Sequence, residues 1–373
     1  MKQKIKQLAQ AHAGEFVANR RHLHQNPELS YQEYNTQKYV AERLKEIGIT
    51  PTPIANTGLV ATIEGRNPSS KVVALRADMD ALPIVEANDV VYKSMNEGVM
   101  HACGHDVHTA SLLGVSKILY NLRNEFDGTV KLVFQPAEEK APGGASVMIA
   151  EGALLNPTPH KMLGQHVAPN IPVGKIGFRE GMYMASADEL YFTVKGKGGH
   201  GAMPELGIDP VLITSHIIVA LQQIISRNRN PRYPSVLSFG KVIANEEWRA
   251  DALSRIKKMA EGIAESMGGV CEVFIQKGYP FLKNESELTR RMKNAAVDFM
   301  GQENVLDLDI WLAAEDFAYY THHVDSCFYR LGTRNEAKGI ISGVHTPTFD
   351  IDESALEIGA GLMSWLAVSE LGM

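Results

Sequence analysis

Cysteine is scarce: Cys103, Cys271 and Cys327 are the only three in 373 residues. So few, so far apart, make no disulfide framework. Positive charge is not in excess either. Lys and Arg number 37 against 43 Asp and Glu, for a net charge of −6, so no basic footprint argues for nucleic acid. No apolar run approaches the roughly 20 residues that span a bilayer. The opening stretch, MKQKIKQLAQAHAGEFVANRRHLHQ, is polar and amphipathic. It has no apolar h-region, and no signal peptide is expected. Repeats and low-complexity tracts are missing as well. These absences point to a reducing cytoplasm, with no nucleic-acid or membrane partner. In that compartment a cysteine stays a free thiol, available to a metal.

What is present is an ordinary globular composition, 45% hydrophobic and 21% charged. The chain is long enough for two domains. The first 48 residues read as two helices broken at Asn26-Pro27, because proline disfavours helix at the residue before it. The second, SYQEYNTQKYVAERLKEIG, opens on Ser30 as N-cap and closes on Gly48 as C-cap. GLVATIEG, KVVALRADMDALP, GTVKLVFQPAEE, HKMLGQHV and GKIGFREG read as strands, and HTASLLGVSKILYNLRN as a helix. Such alternation implies an α/β sheet covered on both faces. Near Ala185 the pattern becomes strand, helix, strand, helix, strand, from DELYFTVKGKGGHGAMP to VCEVFIQKG. The expected architecture is a large catalytic α/β domain with a mixed sheet, residues 1–185 and 281–373. It carries a small inserted α+β lid domain, residues 186–280.

MHACGHDVH, residues 100–108, sets a cysteine two residues from a histidine, with histidines on both flanks. Positions i and i+2 do not face each other on a helix. On a loop or a strand end, Cys103 and His105 can converge on one ion. Glu138 and Glu139, in VFQPAEEKAPGG, close a strand, where open α/β sheets place their active sites. Adjacent like charges repel unless a cation neutralises them. One carboxylate can then bind metal while its neighbour works as a general base. His166 in GQHVAP and His345 in GVHTPTFD complete a set of thiolate, imidazoles and carboxylate. Such donors suit zinc, manganese, cobalt or nickel better than calcium or magnesium. Singly, each residue has a plainer reading. A loop histidine is more often solvated or capping, a buried cysteine a small core residue, an acidic pair a solvated face. The joint pattern raises the metal reading above these.

RRHLHQNPELSYQE, LRADMDALPI, HACGHDVHTASLLG, VFQPAEE, GQHV, GKGGHGAMP, AAEDFAYY and GVHTPTFDIDE resemble, in order, the signatures of one family. It is the metal-dependent amidohydrolase group of hippurate hydrolase, indole-acetyl-amino-acid hydrolase and N-acetyldiaminopimelate deacetylase, within the aminoacylase–carboxypeptidase superfamily. The resemblance covers nearly the whole chain. It is specific for the family and weak for the substrate. It implies hydrolysis of the amide bond of N-acyl amino acids, with an acetyl, benzoyl or similar acyl group. It implies two divalent metal ions per subunit, held by Cys103, His105, Glu139, His166 and His345, with Glu138 as general base. By the same resemblance His200, in GGHGAMP of the lid, reaches towards the reacting oxygen, often from a partner subunit. A homodimer or homotetramer through the lid domain is implied too.

Asp78 and Asp80 follow a buried strand. Asp80 is expected to orient a ligand histidine; Asp78 either does the same or caps a turn. Glu315, in AAEDF, is placed at the pocket wall, and His101 and His108 are read as structural. A carboxypeptidase or dipeptidase on the same scaffold remains an alternative, although the Cys-Gly-His loop favours the acyl-amino-acid branch. A non-catalytic binding protein of the same fold is disfavoured by the five ligands and Glu138 together. A Cys103 nucleophile would differ from all of these in surviving chelation.

One segment departs from the family pattern. Relatives follow the SFGKV strand with a stretch like Gly-Thr-x-x-Asn-Val-Ile-Pro and a further strand ending near Gly-Thr-x-Arg. Here SFGKVIA runs straight into NEEWRADALSRI, leaving about twenty residues of the lid unaccounted for at the 244/245 junction. Either the segment is deleted or a mobile loop is left out of the sequence at that point. The exposed sheet edge that a deletion would leave favours the loop.

Overall fold

The runs VVALRAD and TVKLVFQ are buried at every position, as strands covered on both faces must be. In the computed structural model, which describes residues 1–239, 241–244 and 246–372, they lie side by side in an eight-stranded sheet. Its order is Thr52–Ile54, Gly58–Glu64, Thr129–Gln135, Val72–Asp78, Lys161–Pro172, Ser326–Arg334, Ile176–Phe178, Val305–Asp307. The four strands from Thr129–Gln135 to Ser326–Arg334 run parallel to one another. Gly58–Glu64 and Ile176–Phe178 join them antiparallel. The sheet is therefore mixed, as expected. Helices Lys2–Gln25, Tyr34–Ile47, His105–Asn121, Ser286–Met300 and Ser354–Leu371 share one core with it, through residues such as Phe16, Leu44, Leu112, Met292 and Leu362. Each fully buried side chain of this kind contributes about 1.5–3 kcal/mol.

The chain divides into two compact units, Met1–Met182 with Lys283–Asp309 and Asp316–Met373, and Tyr183–Leu282 with Ile310–Glu315. The expected boundaries left residues 310–315 in the large domain. They group with the second unit because Trp311 N–H donates to Tyr183 O at 2.9 Å and Ala185 N–H to Ala313 O at 3.1 Å. The second unit holds a four-stranded antiparallel sheet in the order Val270–Lys277, Ser186–Lys195, Lys241–Ala244, Val236–Ser238. Helices Pro210–Gln223 and Glu246–Ser266 close a separate core through Ile213, Ile217, Leu221, Ile256 and Ala260. Asp209 caps the first of these, accepting from Val211 N–H and Leu212 N–H ahead of Pro210.

By length and composition, Pro210–Asn228 is apolar enough to cross a membrane. That corrects the expectation that no run reaches the needed length. Its buried residues Ile213, Ile217, Leu221 and Ile224 follow helical spacing and pack into the second unit's core, while Val211, Leu212, Ile218 and Val219 are exposed. Strand Lys241–Ala244 ends just before helix Glu246–Ser266. Asn245, on which the deletion at the 244/245 junction turns, lies outside the described residues.

The opening helices break at Asn26-Pro27 as read, and Gly48 ends the second in the left-handed conformation, φ 98°. Ser30 does not cap that helix. The helix starts at Tyr34, with Glu33 at the N-cap position and no side-chain cap. Both side chains are drawn to buried partners instead: Ser30 Oγ donates to Asp80 Oδ2 at 2.6 Å, and Glu33 Oε1 accepts from Ala137 N–H at 2.8 Å.

Candidate metal centre

Asp78 and Gln135 end adjacent parallel strands and face each other in register. Asp80 and the Glu138–Glu139 pair therefore emerge together just beyond the carboxyl ends of the sheet, the usual place for a site in such folds. Asp80 joins the two segments. Its Oδ1 accepts from Glu138 N–H and its Oδ2 from Glu139 N–H, both at 3.0 Å. His105 Nδ1 lies 2.9 Å from Asp80 O and 3.2 Å from Asp80 Oδ1. That contact makes Nδ1 a donor and turns Nε2 towards the site, where a cation can take the place of its proton. Asp80 thus contacts both His105 and the acidic turn.

Gly104 lets Cys103 and His105 converge. It is left-handed, φ 85°, and begins helix His105–Asn121. Cys103 Sγ lies 3.5 Å from His166 Nε2 and 3.3 Å from His345 Nε2. His166 Nδ1 contacts Val167 O at 2.8 Å, which again frees Nε2. His345, itself left-handed at φ 60°, is tied to the cysteine loop by its N–H, which donates to Ala102 O at 2.7 Å. His345 Nε2 is 3.2 Å from Glu139 Oε1. All five sequence-chosen ligand residues therefore meet. Among the groups close enough to share an ion are Cys103–His105–His166 and Cys103–Glu139–His345, with Cys103 common to both, and His105–Glu138–Glu139.

The donors fit divalent cations. His105 Nε2 is buried and makes no hydrogen bond, an orphan that a buried polar atom rarely remains. The charge balance is also short of positive charge. Hydrogen bonds to Cys103 and then Glu139 push His345 up to about 10. Burial opposes the charge on His105, yet Asp78 and Cys103 hold its proton well above the usual histidine range. Burial keeps His166 neutral, well below that range. Burial also raises the Cys103 thiol, so that cations must displace its proton to bind.

Glu138 is buried, with Oε2 3.9 Å from His105 Nε2 and Oε1 3.4 Å from Asp316 N–H. It stands beside the donors. Asp78 does not cap a turn. It is the last residue of strand Val72–Asp78 and is fully buried. Its Oδ1 lies 2.5 Å from His108 Nδ1 and its Oδ2 accepts from Arg76 Nη1 at 2.6 Å. Burial alone would raise its carboxyl, but Arg76, then His105 and His108, hold it well below the usual range. His108 Nε2 accepts from Val167 N–H at 2.9 Å. Both its ring nitrogens are therefore used, and His108 cannot be a ligand. It braces the strand at His166. His101 is buried with neither ring nitrogen hydrogen-bonded. Glu315 is buried and belongs to the second unit, as does His200. His200 is exposed, its Nδ1 accepting from Ala202 N–H at 3.1 Å.

Sequence reading missed a layer beneath these donors. Arg76 donates to Asp78, to Gln135 Oε1 at 2.9 Å and to Asp316 Oδ1 at 2.8 Å. Asp316 also accepts from Ala145 N–H at 2.9 Å. Asp106 holds the first turn of helix His105–Asn121 against Arg20 and His24, each at 2.8 Å. One signal was available: an arginine inside the apolar strand VVALRAD, where charge is seldom buried without a partner.

Peptidase family M20/M25/M40 matches residues 74–368. N-acetyl-L-cysteine deacetylase of Bacillus subtilis is 37% identical, covering 92% of this chain and 85% of its own. Thermostable carboxypeptidase 2 of Saccharolobus solfataricus is 37% identical, covering 94% and 93%. The crystal structure of the Bacillus subtilis YXEP protein, described as a dinuclear metal-binding peptidase of the M20 family, superposes with a TM-score of 0.78. It is 32% identical, over 97% of this chain and 99% of that one. Likeness of this length, in sequence and in fold, makes the chain a member of peptidase family M20/M25/M40 and a metal-dependent hydrolase.

Proposed function

We propose that the protein hydrolyses the amide bond of N-acyl amino acids, with Glu138 as general base. Cys103, His105, Glu139, His166 and His345 would hold two divalent ions, of zinc, manganese, cobalt or nickel. The observation that carries this reading is the pair of donor groups sharing Cys103, with Glu138 buried beside them. Bound there, the ions would polarise the amide carbonyl and lower the pKa of water. Glu138 takes the proton of the attacking water and returns it to the leaving amine. Its carboxylate is suited to this because its backbone is fixed by Asp80. His200 would stabilise the reacting oxygen from the second unit, and a homodimer through that unit would supply it. The acyl-amino-acid class is supported by the deacetylase relative; the carboxypeptidase relative supports dipeptides or short peptides as the second reading.

A panel of N-acetyl and N-benzoyl amino acids and dipeptides tests it, assayed before and after chelation and with manganese, cobalt or zinc restored. We expect acyl amino acids to be turned over, activity to vanish on chelation, and Glu138→Gln to lose about 10²–10⁴-fold in kcat with its metal retained. Turnover of dipeptides alone would establish the second reading. Activity that survives complete chelation would sink the metal mechanism in favour of a Cys103 nucleophile.

A further inference from the structure

Glu33 is fully buried, 0% exposed, yet its polar contacts are neutral donors. Oε1 accepts from Ala137 N–H at 2.8 Å and Tyr31 N–H at 3.0 Å, and Oε2 accepts from Thr57 Oγ–H at 2.6 Å. A carboxylate taken out of water is costly unless donors replace its hydration, so this arrangement needs a reason. Ala137 supplies one. It is left-handed, φ 51°, a region that residues with a Cβ adopt only when their surroundings impose it. It comes immediately before Glu138. Gly144 N–H donates back to Ala137 O at 2.9 Å, which closes the turn.

The three successive amides Ala137, Glu138 and Glu139 all donate to buried carboxylates, the first to Glu33 and the next two to Asp80. Ser30, three residues before Glu33, in turn fixes Asp80 through its hydroxyl. The segment SYQE is thus the far wall of the acidic turn. Tyr31, inside it, is also left-handed at φ 65°, and its N–H shares the Glu33 oxygen that receives Ala137.

We propose that Glu33 is a positioning residue for the active site: it clamps Ala137 in the left-handed conformation and so aims Glu138 and Glu139. What it supplies is an acceptor oxygen at the right reach, rather than charge. The catalytic consequence rests on the function proposed above; the clamp itself does not.

Two variants separate reach from charge. Glu33→Gln keeps an oxygen towards Ala137 and Tyr31, and its amide can donate to the Thr57 hydroxyl. Glu33→Asp keeps the charge but is one methylene too short. Hydrogen exchange of the Ala137 amide, measured on the metal-free protein, should speed up at least tenfold in Glu33→Asp. The amides of strand Thr129–Gln135 should be unchanged there, and Glu33→Gln should stay within about threefold of wild type, since a lost buried hydrogen bond exposes one amide rather than a whole strand. In the metal-loaded enzyme, Glu33→Asp should lower kcat about 10–100-fold, the usual effect of removing an outer support, with KM within about threefold. Glu33→Gln should recover at least tenfold of that loss. Exchange at Ala137 that is unchanged in both variants, or as fast in Glu33→Gln as in Glu33→Asp, overturns the clamp. If no acyl amino acid is turned over, the exchange measurement still decides the clamp, so its failure is distinct from failure of the proposed function.

Discussion

Replacing Arg76 with methionine should destabilise the first unit severely. Methionine keeps most of the apolar stem; it removes the charge and donors and leaves the space of the guanidinium unfilled. Arg76 is 1% exposed, and its partners Asp78 and Asp316 are both 0% exposed. Three arms of the guanidinium are used: Nη1 to Asp78 at 2.6 Å, Nη2 to Asp316 at 2.8 Å, Nε to Gln135 at 2.9 Å. Removing one partner of a buried pair costs about 3–5 kcal/mol, because the other charge is left without compensation. Here two carboxylates lose the same cation, although Asp78 keeps its contact with His108 and Asp316 keeps the donors of Gln135 and Ala145. At about 2–4 °C of Tm per kcal/mol for a unit of this general size, the melting temperature should fall by roughly 6–20 °C. The assay is scanning calorimetry on metal-free protein, since bound cations would add their own stabilisation. Arg76→Lys should fall between, because a single ammonium cannot reach three separated acceptors. A double-mutant cycle with Asp316→Asn should show non-additivity of at least about 1 kcal/mol. A Tm loss below about 2 °C for Arg76→Met, or simple additivity in the cycle, would refute the reasoning.

Two further outcomes follow from the ligand loop. Gly104→Ala forces an unfavourable left-handed residue, at about 1–2 kcal/mol, and its Cβ would lie 2.6 Å from Val167 Cγ2. Cobalt binding, read by the thiolate charge-transfer band of Cys103, should weaken at least about tenfold, and an unchanged titration would show that the loop does not depend on this turn. His108→Ala removes the acceptor for Val167 N–H and a neighbour of Asp78. Metal affinity should drop about 10–100-fold with the far-ultraviolet dichroism unchanged. Full affinity in that variant would show that His166 needs no such brace.

The strand and helix pattern was legible because it is local. VVALRAD and TVKLVFQ are apolar throughout, and a run of that kind reads as a buried strand whatever lies far away in sequence. The donor types were legible too, since Cys-Gly-His and Glu-Glu are unusual combinations whose chemistry is a property of the side chains alone. Helix ends were less secure. Ser30 had the identity of an N-cap, but a buried carboxylate, Asp80, is a stronger acceptor than the helix's own amides are donors, and it took the hydroxyl. What the sequence could not contain is who meets whom. Cys103 meets His166 across 63 residues and His345 across 242, and Arg76 meets Asp316 across 240. Contacts at that separation leave no periodic trace, because their closure is decided by the sheet's parallel crossovers and not by neighbouring residues. The sequence by itself thus determined the donors, the strands and the chemistry they could perform. The tertiary structure decided which donors meet, which carboxylate stands beside them, and which buried charges hold the whole in place, since burial turns each unpaired polar group into a demand that only a distant partner could meet.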